Sequence, residues 1–248
     1  MLPTVNASTD KSVAYANEVG GRVQGVAVMA NLVADAAVRG KLEESGARIL
    51  GASREAWNAH VARVGWQLND RRVVVGKGRA VDRGFDACVA AIGEKARTSL
   101  PDRNTANPEF RAIFPSGSIA EFVRPAIQQD GESAATLRRN IEASAVPSKT
   151  ELLGMLDGVL PIVAPAADAY RSADQRLNEL FNTELAARKR LVDVLWEERK
   201  NIESTLGRSG RGLARFIYFD FRPAGSPTEP GAEEPEGGGG EVTPPAVG

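Results

Sequence analysis

Residues 166–206 read AADAYRSADQRLNELFNTELAARKRLVDVLWEERKNIESTL. Apolar side chains at Tyr170, Leu177, Phe181, Val192, Leu195, Ile202 and Leu206 recur at helical spacing, so the stretch predicts one long helix. Gly207, Gly210 and Gly212 end it, and Pro161 and Pro165 break or bend the chain before it. Two charges interrupt the stripe. Glu184 and Arg188 fall inside it by helical phase, with Asp174 and Arg199 also near its centre. Glu four residues before Arg is the favourable order for an ion pair, so Glu184 and Arg188 are expected to form a polar layer. Two readings stand. Either the stripe is exposed there because the helix outruns its neighbours, or the layer is buried and fixes register within the bundle or across a homomeric contact.

Outward toward the C-terminus, an apolar segment follows: Phe216, Ile217, Tyr218, Phe219, Asp220, Phe221. Its aromatics would be an aggregation risk if uncovered. They either fold back on the body or dock on another chain by strand addition. Residues 223–248 then hold six Pro, seven Gly and five Glu without a basic residue, which predicts a disordered acidic tail. Of the net charge of −1 the tail supplies −5, so the rest of the chain carries +4. That is too mild and too interleaved with acids for a dedicated duplex-DNA binder.

Outward toward the N-terminus, the pattern stays helical. A first helix is expected over 11–44 and a second over 45–69, whose stripe is Leu50, Ser53, Trp57, Val61, Val64 and Leu68. Trp66 lies nine residues beyond Trp57, about 180° round the helix, and needs a second neighbour or a partner. Arg71, Arg72, Lys77 and Arg79 mark a basic break carrying Gly76 and Gly78. It lacks P-loop spacing, and it is either a plain turn or an anion-holding helix start. A third helix is expected over 79–98, and then a connector, 99–117, pinned by Phe110, Ile113 and Phe114. Ser118 with Glu121, and Ser148 with Glu151, have capping-box spacing and open two further helices. Pro125 and Gly131 kink or split the first of these. The fold class is therefore all-α: a bundle of about six helices over 1–222, with halves at 11–98 and 118–222 and the tail beyond.

The chemical inventory is thin. His60 is the only histidine and Cys88 the only cysteine. That excludes a Cys/His zinc site, a two-histidine metalloprotease motif and a di-iron bundle, and it forbids an intrachain disulfide. His60 reads as a boundary residue and Cys88 as a small buried hydrophobe. No cofactor and no metal is expected. The longest apolar run, 23–38, contains Gln24, Asn31 and Asp35 and is short for a membrane span. Residues 1–22 lack a secretory pattern, and one cysteine suits a reducing compartment, so the expected location is cytoplasmic.

The leading expectation is a non-enzymatic structural or interaction protein that self-associates. Its partner-binding candidates are Trp66, Phe216, Ile217, Tyr218, Phe219 and Phe221. The alternative is a nucleic-acid-associated protein using Arg71, Arg72, Lys77 and Arg79, or Arg208, Arg211 and Arg215. A small-ligand binder or enzyme ranks third.

Overall fold

A computed structural model describes residues 2–4, 6–208 and 210–219. The helices are α1 (Thr9–Val28), α2 (Ala36–Leu68), α3 (Asp70–Ser99), α4 (Pro108–Ile113), α5 (Ala120–Val123), α6 (Asp130–Ala143), α7 (Lys149–Asp157), α8 (Leu160–Leu206) and α9 (Arg211–Phe219). A 3-10 turn, Ile127–Gln129, precedes α6, and no strand occurs among the described residues. The fold is an all-α bundle. The tail 223–248 and Phe221 lie outside the described residues, as does the side chain of Phe219.

The long helix is present, extended back to Leu160 because Pro161 sits in its first turn, where the missing N–H costs nothing. At about 1.5 Å per residue it is about 70 Å long. The expected first helix is instead divided. The chain leaves α1 at Met29, and Asp35 starts α2 by accepting from the amides of Ala37 (2.7 Å) and Val38 (3.3 Å). Ser45 is buried inside α2 rather than at its start. The basic stretch 71–79 is not a break either. Only Asn69 departs from helical geometry, and hydrogen bonds from Asn69 N to Gly65 O and from Val73 N to Asn69 O bridge the junction. The amides near Gly76 and Gly78 thus lie inside α3, and neither the plain turn nor the anion-holding helix start forms there.

Neither capping box forms. Ser118 Oγ accepts from Ala120 N while Glu121 reaches Ser116, and a single helical turn follows before Pro125. Ser148 does precede α7, but its hydroxyl bonds Ser99 and Glu151 pairs with Lys95.

α2 and α3 together run antiparallel to α8. Arg48 meets Glu198, Arg63 meets Glu184 and Arg71 meets Asp174, descending α8 as α2 and α3 ascend. Two separate cores sit on this hairpin. The first joins α1, the α2 segment up to Ala56, the α8 segment from Leu191 and α9. α1 lies close on α2 because Gly20 leaves room for Leu50, whose Cγ would be 2.7 Å from a Cβ there. The second core joins α3 from Phe85 to α4–α7 and Val163, and includes Phe110, Ile113 and Phe114 of the connector. The cores therefore do not divide at the connector between 11–98 and 118–222. The connector is absorbed into the second core, and the C-terminal helices return to the first.

Candidate docking surface

Between the cores the hairpin is held by polar contacts at its ends, from the start of α1 to His60 and Glu184 and from Gln128 to Asp174. From Trp57 to Ala80 on α2 and α3, and from Ala164 to Ala186 on α8, no residue belongs to either core or to the apolar side chains packed against it. The α2 stripe passes through this waist. At Leu50 and Ser53 it is covered by α1, where Ser53 bonds Val13 O and Asn17. α1 begins only at Thr9, opposite His60. From Trp57 on, the same face of α2 is largely uncovered: Trp57, Val61 and Leu68 are 44%, 48% and 50% exposed. With half-buried Val64 they fall within a sector of about 60° at 100° per residue. Phe181 stands 53% exposed on α8. A concavity of about 500 Å³, lined by Val13, Ala14, Leu50 and Trp57 among others, joins the covered and bare parts. The bare stripe thus continues the path along which α1 is docked.

A polar knot fixes where α1 starts. Glu184 is 6% exposed and accepts from Thr9 Oγ1 (2.6 Å), from Arg63 Nε and in a 2.9 Å contact with His60 Nδ1. His60 Nε2 lies 3.2 Å from Asp10, and its ring stacks on Trp57 at 5.5 Å between centroids. Burial pushes the Glu184 carboxyl up, but the Thr9, His60 and Arg63 hydrogen bonds outweigh this and hold it down at about 2. The polar layer expected at Glu184 therefore exists and is buried, but its cation is Arg63 of α2. Arg188 is half-buried beside it with its Nε unpartnered. The i,i+4 rule considers only one helix, whereas Glu184 points between α1 and α2. His60 is more than a boundary residue: it ties α1 and α2 to α8. Its partners, Asp10 and Glu184, lie 50 and 124 positions away and left no local signal of that role.

The other candidates separate. Trp66 is half-buried with its Nε1 unpartnered. The aromatic segment is helical, not extended. Its Ile217 and Tyr218 are each 1% exposed inside the first core, and Tyr15 OH donates to Tyr218 O at 3.0 Å. Docking of these two on another chain is thus overturned: residues 214, 217 and 218 share one face of α9 and turn it inward. Phe216 alone of the segment's described side chains faces out, under the Arg22 guanidinium at 5.2 Å. Of the basic candidates, Arg71 is paired with Asp174 at 2.8 Å, while Arg72, Lys77 and Arg79 are exposed along α3. Arg208, Arg211 and Arg215 line a single concavity at the corner between α8 and α9.

No family model, curated protein or solved structure matches this chain. Among the described residues no group of three His, Cys, Asp or Glu side chains is placed to hold a metal ion. No single helix among them is long and apolar enough to cross a membrane; α7 and α8 reach that criterion only jointly, across a 44° bend.

Proposed function

We propose that the protein is a non-enzymatic, cytoplasmic assembly protein that pairs with a second copy of itself through the waist. The carrying observation is the bare stripe of Trp57, Val61, Val64 and Leu68 on α2, which belongs to neither core. Two antiparallel helices with apolar faces complete a core when a second such pair is laid against them, as in a four-helix bundle. Self-pairing about a two-fold axis covers both copies' stripes at once. The chain's own tail is a poor cover, since 223–248 offers no aromatic residue and only Val242 and Val247 as large aliphatics.

The test is mass in solution by light scattering. The wild type runs as a dimer at micromolar concentration. The Trp57→Ser, Val61→Ser, Leu68→Ser variant runs as a monomer with unchanged helicity, because these side chains serve no core of their own chain. A wild type that stays monomeric at several hundred micromolar, or a variant that stays dimeric, refutes the proposal.

A further inference from the structure

The corner between α8 and α9 is built independently of the waist. Gly207, at φ 62°, takes a left-handed conformation that suits glycine and turns the chain out of α8. The turn sets the start of α9 against the end of α8 and leaves a concavity of about 760 Å³ lined by Glu203, Ser204, Arg208, Arg211 and Arg215. The three arginines are exposed, and none is in an ion pair or a hydrogen bond among the described residues. Lack of a carboxylate is not by itself distinctive, since exposed Arg54, Arg72, Arg79 and Arg83 also have no ion pair among the described residues; what sets these three apart is that they line one concavity. Glu203, the one acid of the lining, is already matched by Arg199 at 2.8 Å. Among the described residues the positive charge of the concavity is therefore uncompensated.

Two further features favour an anion there. The first hydrogen bond at the start of α9 runs from Ala214 N to Gly210 O, so the amides of residues 211–213 have no partner within the helix. They sit at the positive end of its dipole. At Gly212 a Cβ would meet nothing within 4 Å, so the backbone is open to approach.

We propose that this concavity binds a small phosphate-bearing ligand, with Arg208, Arg211 and Arg215 as its guanidinium donors. Three forked guanidiniums beside the start of α9 supply more donors than one carboxylate can accept, and match the several oxygens and multiple charge of phosphate groups. Nucleic acid fits less well. A strand needs a continuous basic track, whereas the last turns of α8 beside the site carry Glu197 and Glu203.

The test is calorimetric titration of the full chain with tripolyphosphate. One ligand is expected per chain, bound more weakly as salt is raised. Each single change of Arg208, Arg211 or Arg215 to Gln weakens binding roughly tenfold, the value of one charge-assisted hydrogen bond. The triple variant abolishes it. Because these side chains hold nothing in place, circular dichroism of the variants stays that of the wild type. The three Arg→Lys variants serve as a second set, keeping the charge but losing the forked geometry, and bind at intermediate strength. A control changing Arg72, Lys77 and Arg79 to Gln leaves binding unchanged. Absence of binding, or equal loss in the control, overturns the site. A ten-nucleotide single strand that binds through the same arginines more tightly than tripolyphosphate overturns the ligand class in favour of nucleic acid.

Discussion

Replacing Glu184 by Gln tests the polar knot at the start of α1. The carboxylate is 6% exposed, so solvent screens it little. Its ordinary value of 4.5 falls to about 2 in the fold. A lowered carboxyl stabilises the fold fully above its unfolded value and loses that contribution as pH falls through its folded value. The window therefore runs from about pH 4.5 down to about pH 2. At about 1.4 kcal/mol per pH unit, the contribution is about 3 kcal/mol. Gln keeps acceptors for Thr9 and His60 but offers no charge to Arg63, so it forfeits that amount at neutral pH. Urea unfolding of both proteins at pH 7, 5, 4 and 3 measures this. The variant is about 3 kcal/mol less stable at pH 7 and pH 5, and the gap shrinks steadily below pH 4.5. Two unfolding curves that shift with pH in parallel would show that Glu184 carries no such ion pair, and that α1 is anchored by its apolar face alone.

Asp130 behaves in the opposite sense. It opens α6 at 3% exposure, and burial, then the neighbouring Asp82 and Asp86, push its carboxyl from 3.8 up to about 7. A raised carboxyl penalises the fold as pH climbs from about 4 to about 7, so Asp130→Asn gains stability relative to the wild type across that range, by on the order of 1–3 kcal/mol at pH 8. Thermal melts at pH 5 and pH 8 check it, and a gap that does not widen with pH contradicts the assignment. In α9, Ile217→Ser costs about 3 kcal/mol or more in urea unfolding because it opens a hole in the first core, while Phe216→Ser costs under about 1 kcal/mol. Similar costs for the two would mean α9 does not pack as described.

The sequence by itself determined the elements whose cause is local. Helical class, the 166–206 part of the long helix and its glycine stop follow from side-chain periodicity and backbone preference within a few turns, and both are written in adjacent residues, whereas Pro165, read as a break or bend, lies inside the helix. Local signals also misled. The basic glycine-bearing run at 71–79 looks like a turn, but packing against α8 keeps it helical, with Arg71 held on Asp174. Two capping-box spacings lost their side chains to other partners. What only the tertiary structure decided are facts about which distant segments meet. The stripe from Leu50 to Leu68 is uniform in sequence, yet α1 covers its first part and leaves the rest bare, because α1 begins at Thr9 opposite His60. Glu184 lies four residues from Arg188 but binds Arg63, 121 positions away. Arg208, Arg211 and Arg215 converge because one left-handed glycine turns the chain. The physical reason is the same in each case. Periodicity states which face of a helix is apolar or charged, while the identity of what lies against that face depends on chain path, which short-range preference does not encode.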